Sequence, residues 1–224
     1  MPPTYRSHAR PKSLALRLAR TLIASVVMAS MVPGFTMLPS AAPEPSPIPK
    51  RWQLEIEPTP LRVIVLDVPG VGPQAFLYLT YTVTNNSGID LLFAPSFDIT
   101  TDEGQVLRSG RDVPVAAVRQ LMERLANPLL EDQIGVVGTL LRGEENAKES
   151  LAVWPVPTTL LSELTVFFAG FSGETATVEV PNAAGRLEKK VLRKTLEMRY
   201  RIPGELNVMA IDPILPFERR WIMR

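Results

Sequence analysis

Phe76-Leu77-Tyr78-Leu79-Thr80-Tyr81-Thr82-Val83-Thr84 runs directly into Asn85-Asn86-Ser87-Gly88. Strict alternation puts Leu77, Leu79, Tyr81 and Val83 on one face and Phe76, Tyr78 and three threonines on the other. That is the period of two of a strand, in β-branched and aromatic residues that suit a pleated surface. Asn and Gly tolerate positive φ, so the four residues that follow read as a turn. Upstream, Trp52, Leu54 and Ile56 alternate with Gln53, Glu55 and Glu57, and Leu61–Val68 is apolar enough to be covered on both faces. Downstream, Ile89–Thr101 returns as a strand that Pro95 must interrupt with a bulge or an edge. Asp102-Glu103-Gly104 then turns the chain into a short strand, Gln105–Arg108.

The period changes at Asp112–Ala126, where Val115, Val118, Leu121, Met122 and Leu125 recur every three or four residues opposite Arg119, Glu123 and Arg124. This predicts an amphipathic helix over about 112–126, capped by Asp112, started by Pro114 and stopped by Asn127-Pro128. Its apolar stripe is expected to cover an open end of a sheet. Strand patterns then resume: Ile134–Leu141, a turn at Arg142–Glu145, Glu149–Trp154, a central strand Leu164–Phe171, Thr175–Val180 and Leu192–Ile202. Short turns at Ser172-Gly173-Glu174 and Pro181–Gly185 separate the last three. The pattern predicts a mainly β chain, an antiparallel sandwich of about eight to ten strands with one inserted helix.

Two stretches together carry a resemblance. Leu79–Gly88 is a strand entering an Asn-rich turn, and Leu140-Leu141-Arg142-Gly143-Glu144 is followed by Leu151-Ala152-Val153-Trp154-Pro155-Val156-Pro157. In this order they resemble the exported immunoglobulin-like β-sandwich domains of bacterial cell envelopes, over roughly Trp52–Gly204. Arg142 stands where such domains commonly have Pro. The resemblance implies a binding or scaffolding module and brings no catalytic residue with it.

Residues 1–20 carry Arg6, Arg10, Lys12, Arg17 and Arg20 and no acid; an uncharged stretch, Thr21–Val32, and the small-residue run Pro39-Ser40-Ala41-Ala42 follow. Basic head, short apolar middle and small-residue exit predict a secretory signal over 1–42, with a retained anchor through residues 21–32 as the alternative. The apolar stretch is short for a hydrocarbon layer of about 30 Å. The expected location is the periplasm or the outside of the cell, or tethering at the inner membrane. All 23 acids lie beyond Ala42, so loss of residues 1–42 takes the net charge from +1 to −4. Nothing in that balance points to nucleic acid. Residues 43–51, which alternate Pro with other residues, read as a semi-rigid linker. The sandwich is expected over 52–204, and 205–224 as an extended apolar segment packed on it or on a partner.

Composition bounds the chemistry. The 224 residues include no Cys, and the single His, His8, falls within the expected signal. Disulfides, thiolate metal sites and His-dependent hydrolysis are therefore excluded from the mature chain. No cofactor is expected. Ser172 in Gly170-Phe171-Ser172-Gly173 lacks the spacing of a nucleophile elbow and reads as a hairpin turn. The acidic groups Asp98/Asp102/Glu103, Glu131/Asp132 and Glu144/Glu145/Glu149 lack the alternating spacing of a calcium loop. The basic run Lys189, Lys190, Arg193, Lys194, Arg199 and Arg201 reads as a solvated strand face or an attraction to an anionic polymer. Asn85-Asn86-Ser87 matches a glycosylation acceptor pattern, which the expected host does not use.

The least ordinary segment is Glu205–Arg224, with ten large apolar residues in twenty. Pro213 and Pro216 bar a continuous helix or central strand, so it should run extended and dock on its own fold. Trp221, with Arg219, Arg220 and Arg224 around it, is the candidate partner-binding group, since Trp and Arg are enriched at binding hot spots. The expected function is a non-catalytic binding or structural module whose partner is an envelope protein or polymer. Self-association through an edge strand or the C-terminal segment is the other partner expectation. A His-free, carboxylate-based hydrolase of an envelope polysaccharide is the alternative.

Overall fold

The computed structural model describes residues 42–156, 162–202 and 212–224. The expected signal, and residues 205–211 of the C-terminal segment, lie outside the described residues. In chain order the elements are β1 (Glu55–Pro58), β2 (Arg62–Val68), β3 (Gly72–Asn85), β4 (Leu91–Phe93), β5 (Ser96–Thr101) and β6 (Val106–Arg108), then α1 (Val115–Leu125). After the helix come β7 (Leu130–Glu131), β8 (Gly138–Leu140), β9 (Gly143–Pro155), β10 (Glu163–Ala169), β11 (Thr175–Pro181), β12 (Leu187–Arg201) and β13 (Pro216–Met223).

Among the described residues the chain is mainly β, in antiparallel sheets with one short helix. In the first sheet β3 has β9 on one side, and β1 and β2 pair in succession along it; β7 adds a short parallel pairing to β9. Pro58, Thr59 and Pro60 break what would otherwise be one strand into β1 and β2. Proline cannot donate to a ladder, and Thr59 instead bonds the carbonyl of Thr80 through its own amide at 2.8 Å. In the second sheet the order is β6-β5-β10-β12, with β13 beyond β12 and β11 pairing the N-terminal half of β12. Pro95 does end a strand: it separates β4, which pairs with β8 in a two-stranded ribbon, from β5.

The inward faces of both sheets share one core. Leu77, Leu79, Tyr81 and Val83 of β3 meet Phe97 and Ile99 of β5, Val166 and Phe168 of β10, and Leu196 and Met198 of β12. Aromatic rings tie the layers together: Phe97 lies 4.9 Å from Tyr81 and 5.3 Å from Phe168 between ring centroids. Asn85 is wholly buried at the end of β3, where its amide donates to Ile89 O and Leu140 O, and the Ser87 amide and hydroxyl donate to its carbonyl. The acceptor-pattern asparagine is thus consumed by the turn.

A second, smaller core lies on the outer face of the first sheet. Ala117 and Leu121 of α1 pack on Leu66, Val68, Phe76, Leu151 and Val153. The helix therefore covers a sheet face and not an open end. It is also shorter than the 112–126 expected from periodicity: Asp112 takes a left-handed φ of 59°, Pro114 is the cap residue in extended conformation, and no side chain bonds the first-turn amides. Two further boundaries differ. The Ile134–Leu141 run is a turn followed by β8, and the turn expected at Arg142–Glu145 is already the start of β9.

The Pro-rich segment is anchored to the sheet that carries β11 and β12. Ser46 N donates to Glu174 Oε1 at 2.9 Å, and Lys194 Nζ donates to Ser46 O at 2.8 Å. Ser46 is held there, while residues 47–50 stay exposed. Among the described residues no helix is long and apolar enough to cross a membrane.

Candidate functional site

Beyond β6 the chain turns sharply through Ser109 and Gly110, the latter at a φ of +77°. Ser109 N donates to Phe97 O at 2.8 Å in the second sheet, and Gly110 N donates to Val153 O at 2.9 Å in the first. This turn spans the two sheets at one edge. From it the chain enters α1, and a further turn at Asp132–Val136 closes the same edge. Asp132 Oδ1 accepts from Ile134 N at 2.9 Å and Gly135 N at 2.6 Å, and Val136 N donates to Asp132 O at 3.1 Å.

Between these pieces lies a cavity of about 380 Å³. Phe97, Val113 and Val118 form apolar walls, and Tyr81, Ser109, Asp132 and Gln133 supply the polar part. Val115 and Ile134 stand on its lining while 75% and 84% exposed, so the mouth is apolar too. The Ser109 hydroxyl accepts from Val153 N at 3.1 Å and donates to Gln133 Oε1. Tyr81 is 2% exposed, and its hydroxyl is shielded from solvent with the Ser150 hydroxyl beside it. Burial pushes its phenol well above the ordinary value, and the interaction with Ser150 offsets this only in part. The charge of Arg108 at the wall is met by Asp98 at 3.4 Å.

The residues singled out from sequence do not converge. Trp221 is half-buried at the fringe of the main core, with Lys194 Nζ 5.7 Å from its ring centroid. Arg219 reaches across to the first sheet and donates to Ile56 O at 2.9 Å. Arg220 pairs with Glu197 and Glu218, and the Glu197 hydrogen bond raises its already high pKa. Arg224 stacks 3.9 Å from the Phe167 ring centroid and lies 3.5 Å from Asp98. Each guanidinium is engaged within the chain, and strand alternation sends Arg219 and Arg220 to opposite faces of β13.

Other groups read from sequence have structural partners. Ser172 Oγ accepts from Glu174 N at 3.2 Å within its turn. Asp102 Oδ2 accepts from Ser162 N at 3.0 Å, which holds its carboxyl below the usual range. Among the described residues no three acidic side chains are grouped to hold a metal ion.

Sequence reasoning missed the cavity because its polar residues come from β3, the turn after β6 and the turn after β7. Tyr81 was legible as an inward-facing residue of its strand. Nothing in one sequence pairs it with Gln133. No protein-family model matches the chain, no curated protein aligns with it significantly, and no solved structure matches it significantly.

Proposed function

We propose that the chain is an exported, non-catalytic binding module of the bacterial cell envelope, built as an immunoglobulin-like sandwich. The strand order supports the architecture. The orders β1/β2-β3-β9 and β6-β5-β10-β12 can be matched to the A-B-E and C′-C-F-G orders expected of such a fold. The helix between β6 and β7, the β4–β8 ribbon and β13 are additions to it. The basic and then apolar N-terminus supports export, to the periplasm or beyond, with residues 21–32 as the alternative tether.

One observation carries the binding role: the largely apolar cavity between α1 and the two sheets, whose lining holds a single carboxylate, Asp132, with one oxygen already taken by two backbone amides. Such a cavity suits capture of a ligand, and it lacks the facing pair of acids that glycoside hydrolysis needs.

Native mass spectrometry of the full chain recovered from an exported fraction, incubated with an envelope extract, tests the reading. A stoichiometric adduct is expected, lost when Val115→Trp fills the mouth. Parallel incubation with envelope polysaccharide should release no soluble sugar. Sugar release abolished by Asp132→Asn would turn the assignment to a carboxylate hydrolase.

A further inference from the structure

We propose that the hairpin of β11 and β12 is an arm that lies on an anionic lipid surface. The inference rests on the export reading and adds a contact that does not involve the cavity.

Residues 175–193 form a two-stranded ribbon about 20 Å long, paired from Thr175↔Arg193 to Pro181↔Leu187. The other described strands on β12, β10 and β13, pair with it only from Lys194 onward. Among the described residues no side chain of the ribbon belongs to either core. A two-stranded ribbon with no layer beneath it is marginal in water. This one nevertheless presents Leu187 and Val191 to solvent, 66% and 62% exposed.

Leu187, Lys189, Val191 and Arg193 share one exposed face of β12. Apolar side chains alternate there with long basic ones, so the face can sink into a headgroup layer while its cations reach the phosphates. Lysines on a free edge also discourage pairing with another strand, which makes a second chain a poor partner for the ribbon.

Charge is segregated in the same sense. The ribbon holds Arg186, Lys189, Lys190 and Arg193 against Glu179 and Glu188, whereas the rest of the chain beyond Ala42 carries −6. An anionic leaflet therefore attracts the ribbon and repels the body. The N-terminal route to a membrane also ends at the foot of the ribbon. Ser46 is bonded to Glu174 and Lys194, and Lys50 and Arg51 border a groove with Thr175 and Ala176. From Val32 to Ala42 the chain can span at most about 35 Å. The apolar stretch 21–32, which engages the membrane during export, thus brings the ribbon within reach of lipid.

The chain has no Cys, so Thr177→Cys, opposite Val191, or Val115→Cys gives the full chain one site for an environment-sensitive fluorophore. With vesicles of phosphatidylglycerol and phosphatidylcholine, the label at 177 should shift to the blue and be quenched from within the lipid. The label at 115 should do neither, and phosphatidylcholine alone should leave both unchanged. Each basic residue near an anionic surface contributes about fivefold. Lys189→Ala with Arg193→Ala should therefore lower the ratio of docked to free ribbon about 25-fold, whether or not residues 1–42 hold the chain on the vesicle. Leu187→Asp should act in the same direction, and thermal melts check that these variants are folded.

A label at 177 that stays in water while the chain sediments with vesicles overturns the proposal, as does an absence of vesicle binding. An equal shift with phosphatidylcholine alone removes the role of charge and overturns it too. A shift evoked by polygalacturonate and not by vesicles would make the ribbon a polymer site instead of a lipid one. The export reading fails separately, if fractionation finds the chain only in the cytosol, and the cavity reading fails separately, if no Val115→Trp-sensitive adduct forms.

Discussion

Lys194 Nζ stands 3.2 Å from Glu174 Oε2 with the two side chains 3% and 10% exposed. A buried pair holds only when its remaining hydrogen-bonding groups are also met. Here the backbone of Ser46 meets them, giving its amide to Glu174 and its carbonyl to Lys194. The Ser46 amide, helped by Lys194, holds the Glu174 carboxyl below its usual 4.5. A carboxyl depressed in the folded state adds stability above its unfolded pKa and loses it as pH falls through the folded one. Glu174→Gln should therefore be less stable than the parent at pH 7. By about pH 3 the difference should shrink, as chemical denaturation at the two pH values would show. A deficit of the same size at both would mean that charge is not what holds the segment. At Tyr81 little change is expected. Removing a shielded hydroxyl with the Ser150 hydroxyl beside it should alter stability by no more than about 1 kcal/mol, so a Tyr81→Phe chain that melts well below the parent would show that the oxygen is firmly bonded.

Elements inherit their limits from single residues. Gly170, at a φ of +92°, ends β10 where a Cβ would stand 2.7 Å from Ala94 O, so Gly170→Ala should cost about 2 kcal/mol or more through strain and displacement of the β4–β5 link. On α1, Leu121 is fully buried against the outer face of the first sheet. Leu121→Ala should cost about 2–5 kcal/mol, and Leu121→Asp more, measured by denaturant midpoint. A parent-like midpoint for Leu121→Asp would remove the helix from the account of packing. The strands were legible because their alternation reflects one solvent face and one core face. β9 shows the limit, since Ser150 to Trp154 are all buried and no alternation survives there. The start of α1 was misread for a different reason. Asp is a common cap, but the left-handed turn at Asp112 points the chain away before the helix begins, and Pro114 takes the cap position. The cavity lay beyond reach for a third reason: its walls come from β3, β5, α1 and the turns after β6 and β7, brought together by packing that no local pattern encodes.

At the scale of the molecule, β13 closes the second sheet. Its ladder with β12 runs from Lys194↔Met223 to Tyr200↔Pro216, Trp221 and Met223 cover the rim of the core, and Arg219 bridges to the first sheet at Ile56 O. The excess of apolar residues in the C-terminal twenty announced a docked segment, and Pro213 and Pro216 kept it short and at an edge. What the sequence left open was where it docks, because an unpaired strand fits any free edge equally well. Removing residues 212–224 should therefore do two things. Loss of the half-buried Trp221 and the buried Met223, at roughly 1.5–3 kcal/mol for each fully buried side chain, should lower Tm by about 10 °C or more in a domain of this size. Exposure of the β12 edge, with Leu196 and Met198 uncovered, should drive self-association visible in sedimentation velocity. Arg220→Ala should cost more than Arg224→Ala, since it leaves the buried Glu197 carboxylate without the guanidinium that meets it. A truncated chain that melts within about 2 °C of the parent and stays monomeric would show that β13 adds nothing to the fold, and would return Trp221 and its arginines to the role of a surface for another molecule.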